Sequence, residues 1–282
     1  MVEWISQLPP FPKLREEDRA NAHPVHFLTG KPFLHLTLSS AASLLRRSSI
    51  PLRLVVVSDG TLDEPAIDLL RKRFPGRLTV ESEASIEERM ESYFPRKTFP
   101  HLRETRDTAN LFRKLMDVHG GASGWNVFID SDTFFWRCPK RLENGLQSGG
   151  RAVYSPDRFS NYGHPSDVIS RILGEPVTSR VNSGLTGMMS EEIDWERMEF
   201  WLAGIRSEVG GKPDFWEQAL TAMHMTSISA ESLPAKDYIL SPSVSEIRSP
   251  TGVFHHYAGA SKHRFIRMMV PLALGHTKVE NK

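Results

Sequence analysis

The residues best suited to chemistry stand together at Asp130-Ser131-Asp132, directly after the apolar run Val127-Phe128-Ile129 and directly before Thr133-Phe134-Phe135-Trp136. Such a run reads as a buried strand, here ending in two acids one residue apart. Two carboxylates at the end of a hydrophobic strand repel one another and resist losing water, so they need a positive charge nearby, most simply a divalent cation. A hard cation held by one or two protein carboxylates keeps open positions, which the oxygens of a substrate phosphate fill. The competing reading is that Asp130 and Asp132 only cap a turn.

Around this pair, strands and helices alternate. A strand over His26–Thr29 is followed by an apolar stretch, Phe33–Leu38, and by a helix that Ser39 or Ser40 would cap and that ends at Arg47. Leu52–Val57 reads as a second buried strand, and it too ends in an acid, at Ser58-Asp59-Gly60. Asp63 with Pro65 marks a helix start, Arg77–Val80 a short strand, and Ser85-Ile86-Glu87-Glu88 a capping box. Residues 95–107 show no period and read as a connection, either a mobile loop over a site or a plain surface loop. Leu111, Leu115 and Val118 then mark the helix before the Asp130 strand.

This alternation predicts an α/β fold with a Rossmann-like, mostly parallel sheet flanked by helices. In such sheets the ligand crevice lies beyond the carboxyl ends of the strands, where Asp59 would meet Asp130 and Asp132. The second half is less regular. A strand over Arg151–Tyr154 precedes a polar loop, and Val181–Gly187 sets small polar residues in an apolar context, as where backbone approaches a ligand closely. One helix is expected near 191–207 and another from Pro213-Asp214, carrying Glu217 and Gln218. Val253–Tyr257 reads as a strand that opens into the loop 258–262. Residues 1–22 form a lead-in, 23–270 a single domain and 271–282 a tail.

Composition narrows the function classes. With 282 residues, 39% hydrophobic and 24% charged, the chain fits a soluble globular protein, and a net charge of +1 gives no reason to expect a nucleic-acid partner. The single cysteine, Cys138, rules out an intrachain disulfide and fits a reducing compartment, so a cytoplasmic location is expected. The first residues lack a continuous apolar core and no run approaches 18 apolar residues, so neither a secretory signal nor a membrane span is expected. From His255 onward five Lys/Arg face one acid, Glu280, with Phe265, Ile266, Met268, Met269 and Val270 among them. That end either touches an anionic membrane peripherally or packs on the domain.

In their order, these segments resemble nucleotide-sugar glycosyltransferases of the GT-A fold, closest to glycosyltransferase family 8 and its relatives, over roughly residues 25–265. Asp130-Ser131-Asp132 resembles the DxD metal motif, Asn182-Ser183-Gly184 the family's Asn-x-Gly segment, Glu217-Gln218 its acid/amide pair, and His256-Tyr257-Ala258-Gly259-Ala260-Ser261-Lys262 its HxxGxxK pattern. Two positions depart from family 8. Ser58-Asp59-Gly60 is nearer the Asp-Asp-Gly of family 2, and Glu217 stands where family 8 usually has Asp. The subfamily and the stereochemical outcome therefore stay open.

The resemblance implies a metal-dependent transfer of a sugar from a nucleotide-diphosphate donor, UDP-linked by expectation, to a glycan, a lipid-linked or a small-molecule acceptor, with retention. Asp130, Asp132 and His256 would hold Mn2+ or Mg2+, the imidazole favouring manganese. Lys262 would meet the diphosphate, and Gly259 would let the loop backbone approach it. Lys114 resembles a lysine that contacts the donor, Asp59 an acid that accepts from the base, and Asn182 a residue that binds a sugar hydroxyl or orders its loop. Gln218 and Glu217 are the candidates for the sugar face opposite the diphosphate; adjacent on a helix, they point about 100° apart, so at most one faces the sugar. Each has a plainer alternative: His256 a packed strand histidine, Lys114 a solvated surface lysine, Gly259 a turn glycine, Phe134, Phe135 and Trp136 core aromatics. Ile129-Asp130-Ser131-Asp132-Thr133 also fits the DxDxT of haloacid-dehalogenase-type phosphohydrolases, with Asp130 as nucleophile. A non-catalytic sugar-nucleotide-binding protein is the third reading.

Overall fold

The computed structural model describes residues 9–265. β-branched and aromatic runs form the expected strands. β1 (His23–Thr29) pairs in parallel with β2 (Leu52–Ser58) and with β4 (Trp125–Ile129), and β2 pairs in parallel with β3 (Leu78–Val80). Beyond β4 the sheet continues through the antiparallel β7 (Val181–Met189) to β6 (Val153–Pro156) and β8 (Glu231–Ser232), giving seven strands in the order β3-β2-β1-β4-β7-β6-β8. Both faces are covered. Leu54, Val56, Val127 and Ile129 pack into one apolar cluster with α2 (Leu34–Arg47) and α3 (Glu64–Arg73), while Val57 and Phe128 join another with α4 (Glu83–Tyr93) and α6 (Arg113–His119). Because β1, β2 and β4 are parallel, their carboxyl ends share one edge, and that edge carries Thr29, Asp59 and Asp130.

A second, three-stranded sheet closes over this edge. β5 (Thr133–Phe135) pairs antiparallel with β10 (Phe254–His256), which pairs in parallel with β9 (Tyr238–Leu240). Its register sets His256 opposite Thr133, next to Asp132. Phe135 and Phe254, both fully buried, pack edge-on with ring centroids 5.0 Å apart and resist a slip of that register. Phe134 and Phe135 are thus core aromatics.

Several boundaries differ from the expectation. α2 begins at Leu34 and runs through Ser39 and Ser40, because Leu34, Leu38 and Ala41 already share a helical face; Ser40 Oγ instead lies 2.7 Å from Thr133 Oγ1. Ser82, not Ser85, caps α4, its hydroxyl accepting from the Ser85 N–H at 3.1 Å. Residues 95–107 are not a plain connection, since Pro100–Thr108 forms helix α5. Its inward face carries Arg103 and Arg106 beside Leu102, and the arginines are neutralised by Glu87, Glu91 and Asp117. A helix buried through ion pairs has no apolar period to read.

Part of the lead-in packs on the core. Phe11 stacks against Phe74 at 5.5 Å and lies under the guanidinium groups of Arg46 and Arg73, and α1 (Glu16–Arg19) follows. At the other end Phe265 is fully buried, 5.0 Å from the Tyr257 ring, so it is core rather than a membrane-facing residue. Ile266, Met268, Met269, Val270 and the tail 271–282 lie outside the described residues, as do residues 1–8. Among the described residues no helix is long and apolar enough to cross a membrane.

Glu246, on α7 (Val244–Arg248), ties down the strand that delivers His256. It accepts from the Thr251 and Gly252 N–H groups at 2.7 and 3.0 Å, from the Thr251 hydroxyl at 2.8 Å and from His255 Nε2 at 3.0 Å. Burial opposes its ionisation, but the donors outweigh it and hold its pKa at about 2, below the ordinary 4.5. The stability it contributes is therefore complete above pH 4.5 and lost as pH falls through 2. Glu246→Ala is expected to lower the unfolding free energy near pH 7 by about 2 kcal/mol. Urea titrations should find this difference shrinking as pH drops below 4.5.

Candidate active site

The turn that presents the two acids is fixed on every side. Ser131 Oγ donates to Leu28 O at 2.9 Å and lies 2.8 Å from Thr37 Oγ1; Thr133 Oγ1 donates to Asp130 O at 2.9 Å. The Tyr257 N–H donates to Asp132 O, and the Asp130 N–H to Gly184 O, both at 2.8 Å. This holds both carboxylates toward His256. Its Nε2 lies 3.2 Å from Asp132 Oδ1 and 3.7 Å from Asp130 Oδ2, and the three candidate ligand atoms all fall within 4.8 Å of one another.

Each carboxylate turns its other oxygen to a lysine. Lys262 Nζ is 3.1 Å from Asp132 Oδ2, and Lys114 Nζ is 3.6 Å from Asp130 Oδ1. The lysines differ in setting, with side chains 46% and 6% exposed respectively. Lys114 is no solvated surface lysine. It lies behind Asp130, over the face of Phe128, and its ammonium also meets Glu217 Oε2 at 3.1 Å. Ser183 Oγ donates to the same Glu217 oxygen at 2.8 Å and Thr221 Oγ1 to the other at 2.9 Å, so both oxygens of this buried acid are engaged.

Burial opposes charge throughout the cluster; it prevails at Glu217, whose carboxyl it pushes up despite Lys114, and the partners decide the outcome elsewhere. Burial works against the Asp132 carboxylate, yet His256 and Lys262 hold its pKa well below the usual range. Burial likewise lowers His256 and Lys114, but Asp132 and Asp130 raise the imidazole, and Asp130 and Glu217 raise the ammonium. Three acids against two lysines leave a formal charge of −1 with a neutral imidazole, so a divalent cation would carry the site to +1, suited to an anionic ligand.

The donor set fits such a cation. Two carboxylates and one imidazole suit Mn2+ or Mg2+, and adjacent ligands at bond lengths of about 2.1 Å stand roughly 3 Å apart. His256 Nδ1 is occupied by Asn182 Oδ1 at 3.1 Å, which leaves Nε2 for the acids and for a metal, the usual arrangement behind a ligating histidine. Alternation along β10 sends His255 the other way, where Trp136 Nε1 donates to its Nδ1 at 2.8 Å.

The acids open on a pocket lined by Phe33, Asp59, Leu111, Asp130, Asp132 and Lys262. Asp59 follows β2 directly; its Oδ1 accepts from the Thr61 N–H at 2.9 Å and hydroxyl at 2.6 Å. Gly259 adopts φ +55, a conformation that favours glycine, and a Cβ there would meet nothing within 4 Å. Asn182 lies within β7 rather than on a loop, its Oδ1 also accepting from the Gly184 N–H at 3.0 Å. Gln218 lies off the pocket, its Nε2 donating to Asn161 O at 3.0 Å and to Asp157 Oδ2 at 3.3 Å. The geometry thus gathers Asp130, Asp132, His256, Lys262, Lys114 and Glu217, links Asn182 and Gln218 at one side, and sets Asp59 across the pocket.

Three contributors escape a reading of the sequence. Ser183 binds Glu217 from β7, which no local pattern reveals, and Thr221 binds it from one turn further along the same helix, a spacing of four that the sequence does offer. Asp157 did carry a signal: it follows β6 directly, as Asp59 and Asp130 follow β2 and β4.

This seven-stranded, helix-flanked sheet has the GT-A fold of the solved structures that it superposes on. Mouse xyloside xylosyltransferase 1, apo form, superposes with a TM-score of 0.58 at 13% identity over 85% of this chain and 98% of that one. The galactosyltransferase LgtC, in complex with donor and acceptor sugar analogs, gives 0.53 at 11% identity over 87% and 95% of the two chains. The bifunctional glycosyltransferase WbbM gives 0.55 at 14% identity over 94% of this chain, which spans 52% of that protein. No protein-family model and no curated protein sequence matches the chain.

Gly184 is the position where backbone packs against the cluster. A Cβ there would collide with the His256 ring and sit 2.7 Å from Asp130 Oδ2. Gly184→Ala is expected to reduce Mn2+ affinity at least about 10-fold while costing about 1–3 kcal/mol of stability. Isothermal calorimetry and urea unfolding on the same preparation would separate the two effects.

Proposed function

We propose that the protein is a metal-dependent glycosyltransferase, related to family 8, that moves a sugar from a UDP-linked donor to a glycan, lipid-linked or small-molecule acceptor in the cytoplasm. The observation that carries this reading is the meeting of Asp130, Asp132 and His256 within 4.8 Å beside a pocket at the carboxyl edge of a GT-A sheet. These residues would hold Mn2+ or Mg2+, and the bound cation would supply positive charge to the departing diphosphate.

The chain's own groups account for the remainder. Asp59, across the pocket, would accept from a base N–H with the oxygen that Thr61 leaves free. Lys262, half exposed at the mouth, is tied to Asp132; once a cation takes over that carboxylate, its ammonium can turn to the diphosphate. Lys114 and Glu217 act from behind, fixing Asp130 and excluding water. With both Glu217 oxygens engaged, Gln218 is the better candidate for the sugar face. Its Nε2 is held by Asp157 and Asn161, leaving Oε1 to support positive charge on the sugar. An amide is a poor nucleophile, which favours retention through front-side departure and attack.

A donor screen tests the reading. UDP and UDP-sugars are expected to bind at least about 10-fold tighter with Mn2+ than without, and Asp132→Asn to erase that gain. Nucleotide affinity indifferent to both metal and substitution would sink the metal assignment. Release of UDP from a UDP-sugar marks the transferase, release of phosphate from phosphate esters the haloacid-dehalogenase alternative, and binding without either a non-catalytic protein. Lys262→Ala should weaken UDP by about 1–3 kcal/mol and uridine hardly at all, read by the same calorimetry.

A further inference from the structure

We infer that Asp157 is a positioning residue that selects which nitrogen of His256 is free for the metal, acting through Asn182; this rests on the metal-site reading above. Asp157 stands just past β6, where its N–H donates to Arg180 O at 2.6 Å and prolongs the β6–β7 pairing. That pairing shifts register between Tyr154 and Ser155, from Tyr154 opposite Thr186 to Ser155 opposite Asn182. Such an irregularity bends a strand and re-aims its side chains, here bringing Asn182 against Asp157.

The Asp157 carboxylate is fully committed. Oδ1 accepts from the Arg158 N–H at 2.6 Å, and Oδ2 accepts from Asn182 Nδ2 at 3.0 Å and Gln218 Nε2 at 3.3 Å. With its NH2 drawn to this charge, Asn182 must turn Oδ1 the other way, to the Gly184 N–H at 3.0 Å and to His256 Nδ1 at 3.1 Å. An amide oxygen only accepts, so Nδ1 bears the hydrogen and Nε2 faces Asp132 and Asp130. Were the amide reversed, its NH2 would point at Nδ1, and a neutral ring would carry its hydrogen on Nε2, where it cannot ligate. Three groups hold the amide as it is, the Gly184 N–H, the Ser155 hydroxyl at 3.4 Å and the Asp157 carboxylate, and the charged one is the strongest. The same oxygen also holds Gln218, so one carboxylate positions both a metal ligand and the amide proposed for the sugar face.

Asp157→Asn breaks this without changing size, because either orientation of the new amide sets an NH2 against existing donors: the Arg158 N–H, or the amides of Asn182 and Gln218. The test is Mn2+ affinity by calorimetry on the full chain, together with the 14N electron-spin-echo modulation that a coordinated imidazole imposes on Mn2+. Asp157→Asn and Asn182→Ala are each expected to lose about 10- to 100-fold in affinity and to weaken the imidazole modulation, and the double variant to lose no more than the worse single. Gln218→Ala, which removes only the other arm, should bind Mn2+ within about twofold of wild type. A purely structural Asp157 would lower the melting temperature and leave the modulation intact, and that result overturns the inference. Should Asp157→Asn fail to fold, Asn182→Ala decides by the same criterion. Wild-type protein that binds no Mn2+, or binds it without imidazole modulation, refutes the metal-site reading itself and this inference with it.

Discussion

Two like charges held at the end of a central strand are the constraint that the rest of the structure answers. Asp130 and Asp132 cannot be brought together out of water without compensation, and each receives it twice: one oxygen faces His256, the other a lysine. The lysines come from separate elements, Lys114 from α6 and Lys262 from the helical turn that follows Gly259–Ser261. A third acid, Glu217, keeps the buried ammonium balanced and is itself bound by two hydroxyls. Breaking any one of these contacts leaves a charge uncompensated in a poorly solvated place, which is why the cluster behaves as one unit.

The small sheet solves a different problem, that of bringing a histidine from near the far end of the chain to within ligand distance of the acids. It does so by backbone pairing rather than by a flexible loop. β5 starts immediately after Asp132, and β10 pairs with it so that His256 falls opposite Thr133. A one-residue slip would turn His256 away and present a neighbour instead, so the ring pair Phe135–Phe254 and the Glu246 clasp govern the chemistry from a distance. Hydrophobic packing thereby becomes part of the site.

What the sequence made legible was what depends on neighbours along the chain. The apolar runs before Asp59 and Asp130 are strands that those acids directly follow, and Asp63 does cap α3, accepting from the Ala66 N–H. The unread parts depend on partners far away in sequence. Arg103 and Arg106 turn a charged, aperiodic stretch into a helix only because Glu87, Glu91 and Asp117 lie against them. Lys114 looks like any surface lysine until Asp130 and Glu217 surround it. Nor could the chain say which member of the Glu217-Gln218 pair would be enclosed, since Ser183 on β7 and Lys114 on α6 settle that.

The division between a fixed rear and an open front carries an evolutionary consequence. Phe33 and Leu111, at 42% and 45% exposed, rim the pocket from two separate segments, neither belonging to a strand. The rear is bound into the folding core through Lys114, Glu217 and Ser131. Substitutions at the rim can therefore drift without unfolding the molecule, whereas those at the rear are purged first. A lineage built on this scaffold would diversify in what it accepts long before it changed how it holds charge.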